Sequence, residues 1–234
     1  MTSEQNLVRL SQVDLMSSEI SSRVHIGEVI RNAVLFNPAN PQELLMNPDI
    51  LIETVARFFS LLRERQIDYV LVGGIALLQY VEGRNTEDID LIMAVSALEH
   101  LPELQLETRD ADFARSKFGD LRVDVLLTSN PLFAEVRRRY TTSKRFVEQE
   151  IPCSTVEGLI LLKLYALPSL YRQGNFTRVA LFENDIATLM HTHNPLIEPL
   201  VNELTTYLND SDMRHVKQII EEIQQRIRRF DERS

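Results

Sequence analysis

Two aspartates interrupt one short apolar run, where a buried charge needs a chemical reason. Asp88 and Asp90 lie in the segment DIDLIM, and a spacing of two places both side chains on one face of a strand. Like charges this close raise one another's pKa, and a divalent cation that prefers oxygen ligands removes the conflict. Asp124 interrupts a second apolar run, LRVDVLL, in the same way. Three such carboxylates can hold two magnesium ions, which would clamp the attacking and leaving oxygens of a phosphoryl or nucleotidyl transfer.

A glycine pair precedes these aspartates. The apolar run from Ile67 to Val72 predicts a buried strand, Gly73 and Gly74 predict a tight turn, and the stretch from Ile75 to Val81 predicts the opening of a helix. Free amides at the start of a helix can receive phosphate. Taken alone, the glycine pair also fits an ordinary turn between a strand and a helix.

In this order, the motifs resemble the nucleotidyltransferases of the DNA polymerase β superfamily. Within that superfamily they resemble the bacterial AbiEii-type group, which includes toxins of toxin–antitoxin systems. The resemblance rests on the glycine turn, then Arg84 and Thr86, then the DIDL motif, then Asp124. It implies that the glycines, Arg84 and Thr86 bind the triphosphate. It further implies that Asp88, Asp90 and Asp124 ligate Mg²⁺, or Mn²⁺ in its place, and that Asp124 helps to activate the incoming hydroxyl.

The later segment STVEGLILLKLYALPSLYR resembles the helix that follows the sheet in AbiEii-type proteins. This match implies that Lys163 neutralises the phosphates and takes part in transfer, with Glu157 near the start of the same helix. Asp185, in FENDIATLM, is a looser match. The residues alone leave other interpretations open: Lys163 extending from a packed helix to water, and Asp185 stabilising a helix N-terminus from its first turn. Arg84 and Thr86 also fit a role in bracing their loop.

Other polar residues give weaker signals. His191 and His193 are two apart and could bind a metal from one side of an extended segment, but a solvated helix end is the favoured interpretation. Cys153 is the only cysteine, so the chain has neither an intramolecular disulfide nor a multi-thiolate zinc site.

Three regions are predicted along the chain: an N-terminal arm (1–48), a nucleotidyltransferase core (49–152) and a helical C-terminal domain (153–234). The core begins with a helix from Pro48 to Arg65 and later contains strands that turn near residues 118–120. The last helix carries apolar residues at helical spacing from about residue 212 to 229. Periodicity predicts an α/β (α+β) protein, in which a mixed sheet with flanking helices is followed by a helical C-terminal domain. The resemblance implies a polymerase β-like fold for the sheet region.

Composition favours a soluble, cytoplasmic protein without a membrane partner. The 234 residues are 44% hydrophobic, and the polar N-terminus lacks the apolar centre of a signal peptide. A net charge of −9 argues against a protein that coats nucleic acid with its whole surface. One stretch is nevertheless basic, and it predicts either a local phosphate-binding face or a solvated helix face. Its members are Arg115, Lys117, Arg122, Arg137, Arg138, Arg139, Lys144 and Arg145.

The expected activity is metal-dependent transfer of NMP from an NTP to an acceptor hydroxyl, with pyrophosphate as the leaving group. By resemblance the acceptor is RNA, at the 3′ end of tRNA, and an antitoxin-like protein is a partner. Two alternatives stay open. One is a small-molecule acceptor, as in antibiotic nucleotidyltransferases, and the other is a module that binds NTP or a protein without turnover. The base preference and the oligomeric state are left open by the sequence.

Overall fold

A computed structural model describes residues 23–37 and 49–232. Within these residues the chain forms nine helices and seven strands. The helices are α1 (Ile26–Leu35), α2 (Asp49–Glu64), α3 (Gly73–Leu77), α4 (Val95–Glu99), α5 (Pro131–Arg139), α6 (Val156–Arg172), α7 (Phe176–His193), α8 (Ile197–Leu204) and α9 (Asp210–Asp231). The strands are β1 (Tyr69–Val72), β2 (Asp88–Met93), β3 (Gln105–Arg109), β4 (Phe113–Phe118), β5 (Leu121–Leu127), β6 (Thr141–Arg145) and β7 (Glu150–Ser154).

The seven strands form one mixed sheet in the order β3-β4-β5-β2-β1-β7-β6. Strand β2 is central, parallel to β5 on one side and antiparallel to β1 on the other. Strand β1 also runs parallel to β7, which leads directly into the C-terminal helices. The expected mixed α/β sheet with flanking helices, followed by a helical region, is therefore confirmed.

Alternation along the strands gives the sheet one apolar and one polar face near its centre. In β5 every odd-numbered residue is buried and every even-numbered one is half-buried, and the first half of β2 alternates in the same way. The apolar face packs on α2, where the rings of Phe58 and Phe118 lie 5.2 Å apart. The polar face, which carries the aspartates, is left for the C-terminal helices to cover.

The C-terminal helices form a layer of their own. Helices α6 and α7 pack side by side, and α9 packs on both of them. The apolar stripe predicted for the last helix is buried, and it is formed by Val216, Ile219, Ile220 and Ile223. None of the helices within the described ranges is both long enough and apolar enough to cross a lipid bilayer.

Several predicted boundaries differ from the structure. Strand β1 begins at Tyr69 because Gln66 has a positive φ of 53° and ends the preceding helical turn. The helix after the glycine turn starts at Gly73 itself and ends at Leu77, not at Val81. The predicted domain boundary at residue 152 falls inside β7. Most of the predicted N-terminal arm, including Pro38 and Pro41, lies outside the described residues.

Candidate active site

Strand register brings the predicted carboxylates together on the polar face of the sheet. Asp90 lies opposite Asp124 across the β2–β5 pair and opposite Val72, the last residue of β1, on its other side. Asp88 precedes it by one pleat and lies opposite Arg122. Neighbouring strands are about 4.8 Å apart, so the Asp90 and Asp124 side chains project side by side.

Asp90 is the most perturbed of the three carboxyl groups. Burial is the main cause that raises its pKa, to about 7, and the charges of Asp124 and Asp88 raise it further. The charge of Lys163 and a hydrogen bond from the Gly74 backbone N–H act in the opposite direction. Near neutral pH, Asp90 is therefore divided between its protonated and ionised forms, and an added cation would favour the ionised one.

The other two carboxyl groups are perturbed in the same direction. Burial raises the pKa of Asp88, and the charge of Asp124 adds to this, while Arg122 opposes it. Burial also raises the pKa of Asp124, with Arg115 and Arg178 opposing it. The Oδ1 atom of Asp88 is buried and has no hydrogen-bond partner among the described residues. Its Arg122 neighbour approaches only to 3.9 Å.

The glycine turn is shaped by Asp90 and Thr86. Gly73 has a φ of +66°, and a Cβ atom added there would lie 1.8 Å from Oδ2 of Asp90. A Cβ at Gly74 would lie 2.8 Å from Cβ of Thr86. Both glycines are thus needed for close approach of a side chain. In this structure the Gly74 amide, predicted to cradle phosphate, donates to Asp90.

A buried cluster of charges lies beside Asp90. Lys163 Nζ lies 2.8 Å from Oδ2 of Asp185, and Arg84 Nη2 lies 3.3 Å from the same oxygen. The ammonium group also lies 4.3 Å from the ring centre of Phe182. Lys163 and Asp185 are both buried, so the idea that Lys163 reaches water is wrong. The alternative reading of Asp185 as a first-turn acid is also wrong, because α7 begins nine residues earlier at Phe176.

This cluster has one positive charge more than negative when all three groups are ionised. Burial lowers the pKa of Lys163, whereas the carboxylates of Asp185 and Asp90 support its protonated form. The Arg84 Nε atom is buried and lacks a hydrogen-bond partner among the residues described. The excess positive charge faces Asp90 and the space where an anionic ligand would lie.

A cleft of about 760 Å³ separates the polar face of the sheet from helices α6 and α7. Gly73, Asp90, Asp124 and Lys163 all line it. Lining residues that the sequence analysis did not assign to the site are Arg109, Asp110, Asp112, Phe113, Phe133, Tyr165, Arg172, Arg178, Phe182, Tyr207 and Asp212.

One signal in the sequence could have found part of this lining. Arg178, Phe182 and Asp185 follow one another at spacings of four and three, which places them on one face of a helix. Asn175 is the residue that marks the start of this helix, because its side chain accepts a hydrogen bond from the backbone N–H of Arg178.

The predicted basic face is not formed as one surface. Arg115 and Arg122 flank the aspartates, as their register with Asp124 and Asp88 requires. Arg137, in contrast, pairs with Asp68 at 3.0 Å. Asp68 precedes β1, at the end of the sheet opposite Asp88 and about 20 Å away along the strand.

Most of the remaining basic residues have partners other than the aspartates. Arg138 and Arg139 pair with Glu135 at 2.6 and 3.1 Å. Lys117 pairs with Glu107, and Lys144 lies over the ring of Tyr80. The cluster is divided because the chain leaves β5 and turns into α5 at the far edge of the sheet.

The remaining candidates lie at helix ends. Glu157 is in the first turn of α6, near Tyr80; burial is the main cause that raises the pKa of Tyr80, and the charge of Glu157 adds to it. His191 Nε2 lies 3.0 Å from Asp231, and His193 Nε2 lies 2.9 Å from the Tyr80 carbonyl oxygen. The two histidines therefore have separate partners at the end of α7, as the favoured interpretation expects.

The donor set can be tested for its fit to a divalent metal. All three strand groups are carboxylates, which suits Mg²⁺, and the buried Oδ1 of Asp88 has no hydrogen-bond partner among the described residues, with Arg122 no nearer than 3.9 Å. Within residues 23–37 and 49–232, however, no group of three or more histidine, cysteine or acidic side chains could hold a metal ion as it stands. The chemistry of the donors fits, and their side chains would have to turn toward one another on binding.

Comparisons with known proteins give limited likeness. No protein-family model matches the sequence, and no curated protein matches it either. Similar solved structures include an antigenic nucleotidyltransferase-like protein from Paracoccidioides brasiliensis, with a TM-score of 0.44 and 16% identity over 71% of this chain and 91% of that one. The solution structure of antibiotic-resistance factor ANT(2″)-Ia has a TM-score of 0.46 and 12% identity over 78% and 97% of the two chains. ANT(2″)-Ia in complex with adenylyl-2″-tobramycin has a TM-score of 0.44 and 12% identity over 70% and 95%. Scores and identities this low assign neither a family nor an activity.

Proposed function

We propose that this protein is a metal-dependent nucleotidyltransferase, which transfers NMP from an NTP to an acceptor hydroxyl and releases pyrophosphate. The observation that carries this proposal is the crowding of Asp88, Asp90 and Asp124 on one sheet face, all with raised pKa values. A buried group of like charges is costly unless a cation joins it. The adjoining cleft has room for a nucleotide and part of an acceptor.

Each residue of the site has a role in this proposal. Asp88, Asp90 and Asp124 would hold Mg²⁺, or Mn²⁺, as two ions. Bound there, the metal would supply positive charge to the transferred phosphoryl group and the leaving pyrophosphate. Asp124 would also take the proton of the attacking hydroxyl; its position at the border of the cleft, between strands β2 and β4, supports this role.

Cations of the protein would hold the phosphates. Lys163 lies beside Asp90 and carries excess positive charge with Arg84, so it would stabilise charge that develops in the transition state. Arg178 lines the same cleft from α7, and its positive charge opposes the rise in the pKa of both Asp88 and Asp124. Gly73 and Gly74 would contribute chiefly by letting Asp90 and Thr86 approach the turn.

The resemblance in sequence favours RNA, at the 3′ end of tRNA, as the acceptor. Arg115 and Arg178 on the two walls of the cleft support an anionic acceptor near the aspartates. A partner protein of the antitoxin kind stays a prediction from the resemblance.

A small-molecule acceptor is the second candidate, and the division of the basic cluster favours it. Arg137, Arg138 and Arg139 are paired with acids and leave no continuous basic path to the aspartates through α5. Asp110 and Asp112 also line the cleft, and backbone N–H groups lower the pKa of Asp110, so it is ionised at neutral pH. Such acids would suit a cationic acceptor.

A transfer assay separates these possibilities. The protein is incubated with magnesium, each of four labelled NTPs, and either total cellular RNA or a mixture of polycationic amino sugars, which carry free hydroxyl groups. Asp90→Asn should lose transfer by about 10³-fold or more, because it removes a metal ligand at constant shape. Asp120→Asn, an exposed residue of the β4–β5 turn, is the matched control and should keep full activity. Labelled product that persists with Asp90→Asn would overturn the proposal.

A further inference from the structure

A wall of aromatic rings lines the cleft beyond the aspartates. The rings of Phe113 and Phe133 have centres 5.3 Å apart at 67°, and those of Phe133 and Tyr165 have centres 6.0 Å apart at 81°. Phe133 is buried in the middle, whereas Phe113 is 45% exposed and Tyr165 is half-buried. The central ring therefore braces two outer rings, both of which border the cleft.

Strand register gives the position of this wall relative to the aspartates. Phe113 lies opposite Leu126, and Arg115, two residues further along β4, lies opposite Asp124. Side chains two apart share a face and are separated by about 7 Å along the strand. Phe113 is thus on the same face as Asp124, one pleat away. That offset is of the size that a sugar ring spans between a phosphate and its base.

A helix-capping residue, Asn130, determines whether the Tyr165 hydroxyl of this wall donates or accepts a hydrogen bond. Asn130 is buried, and its Oδ1 accepts from the backbone N–H groups of Leu132 at 3.0 Å and Phe133 at 3.4 Å, which begin α5. Its Nδ2 group must then be the atom that faces Tyr165 Oη, at 3.1 Å. An amide nitrogen can only donate, so the Tyr165 oxygen accepts here and its own hydrogen is left for another partner. No second protein partner for that hydroxyl is present in the described part of the chain.

We propose that Phe113 and Tyr165 form a nucleobase subsite of the cleft. A planar heteroaromatic ring would stack on Phe113 and accept a hydrogen bond, through a carbonyl oxygen or an unprotonated ring nitrogen, from the Tyr165 hydroxyl. This inference rests on the proposed function, since it takes the nucleotide or the acceptor to be at Asp124. The base belongs either to the NTP or to the acceptor nucleotide.

The test uses two variants with matched controls. Phe113→Leu removes the stacking ring and keeps an apolar side chain, and Tyr165→Phe removes only the hydroxyl. Phe176→Leu, at an exposed position 71% accessible at the start of α7, and Tyr171→Phe, whose hydroxyl bonds Glu183, are changes of the same kind outside the aromatic wall. Steady-state KM and kcat are measured for each NTP and for the acceptor, together with ribose 5′-triphosphate, which has no base.

The expected result is a change in KM with kcat nearly constant. Phe113→Leu should raise one KM about 10-fold, which is the size of base–aromatic stacking effects. Tyr165→Phe should raise the same KM about 5-fold, through loss of one neutral hydrogen bond. If the base is that of the NTP, KM for NTP rises and KM for ribose 5′-triphosphate does not. If it belongs to the acceptor, only the acceptor KM rises.

Failure of this inference differs from failure of the proposed function. Transfer that continues with every KM equal to those of Phe176→Leu and Tyr171→Phe would overturn the subsite and leave the transferase intact. If no acceptor is labelled at all, equilibrium dialysis of each NTP and of a labelled RNA oligonucleotide against the same four variants decides the matter. Weaker binding by Tyr165→Phe and Phe113→Leu would support the subsite, and equal or absent binding would overturn it.

Discussion

The two buried groups of acids in this protein are balanced in opposite ways. Asp185 has Lys163 at 2.8 Å and Arg84 at 3.3 Å, so its charge is compensated by the protein itself. Asp88 and Asp90 lie beside this cluster and are crowded by another carboxylate. In the described residues Oδ1 of Asp88 has no hydrogen-bond partner, and Arg122 is 3.9 Å away. The contrast shows that burial alone does not mark a functional acid. A buried acid whose charge the protein compensates only in part is the better candidate for chemistry.

After the loss expected for Asp90→Asn, the largest effect on transfer and stability together is expected from breaking the compensated group. Lys163→Met should lower transfer about 100-fold, because it removes a cation beside the reacting phosphates. It should also lower the free energy of unfolding by about 3 kcal/mol, because Asp185 keeps only Arg84 as its partner. Urea unfolding and the transfer assay measure the two losses separately.

A paired change separates stability from activity at this position. Lys163→Met combined with Asp185→Asn removes both charges of the Lys163–Asp185 pair and keeps an amide oxygen that can accept from Arg84, so it should recover part of the lost stability while transfer stays low. Recovery of transfer in the double variant would show that Lys163 acts only as a structural partner of Asp185.

The next effect is expected at the turn that admits Asp90. Gly73→Ala should lower transfer about 100-fold, since the new Cβ would lie 1.8 Å from Asp90 Oδ2 and displace the carboxylate. Gly174→Ala has the same kind of backbone, with φ +65° and nothing within 4 Å of the added Cβ. Both variants should lose about 1 kcal/mol of stability from the left-handed backbone, but only Gly73→Ala should lose transfer. Equal transfer by the two would contradict this account of the turn.

The uncompensated acids should make stability depend on both pH and magnesium. A carboxyl group whose pKa is raised on folding destabilises the folded state as the pH rises from its unfolded pKa to its folded one. For Asp90 this interval runs from 3.8 to about 7. Without metal, the wild type should therefore lose stability over this range relative to Asp90→Asn. Thermal unfolding of the two proteins at several pH values measures the difference.

Magnesium should reverse that loss. At a hundredfold excess over Kd it should stabilise the wild type by about 2.7 kcal/mol at pH 8, with a smaller effect at pH 5, where Asp90 is protonated. Asp90→Asn should respond weakly at both pH values. A wild type whose unfolding temperature ignores magnesium at pH 8 would argue against a metal site at these strands.

The smallest effect is expected where the basic residues are already paired. Arg138→Glu combined with Arg139→Glu should change transfer by less than about twofold, because both residues pair with Glu135 on α5, away from the cleft. Arg115→Gln, which removes a cation that acts on Asp124, should lower transfer about 10-fold. The transfer assay with RNA as acceptor compares them, and a large loss in the α5 variant would restore the idea of one basic face.

Parts of this site are predictable from sequence because they depend on local geometry. The alternation of Asp88 and Asp90, and of the residues around Asp124, is enough to place each on the polar face of its own strand. The turn φ at Gly73 follows in the same way from residue type. The register that sets Asp90 opposite Asp124 depends on tertiary structure. In the sequence, only the order of the motifs shared with the resembling family indicates it.

Other parts depended on contacts that no local pattern encodes. Without the start of α7 at Phe176, the sequence leaves Asp185 open to interpretation as a first-turn acid and does not indicate a buried partner of Lys163. Closeness in sequence likewise predicts one surface for the basic stretch. Its members separate where β5 ends, since the strand and the following helix lead to different edges of the sheet.

Asn130 links the start of α5 to the wall of the cleft, because its Oδ1 caps the helix and its Nδ2 donates to the Tyr165 hydroxyl. Aspartate caps helices as well as asparagine does, so Asn130→Asp should preserve α5. Its second oxygen, however, could only accept, and the Tyr165 hydroxyl would then have to turn and donate to it. The Tyr165 hydroxyl would then offer the cleft an acceptor lone pair in place of a donor hydrogen. Asn130→Asp, a change at a buried residue, should thus shift the preference of the subsite from bases that accept a hydrogen bond to bases that donate one. The KM values for the four NTPs measure this shift.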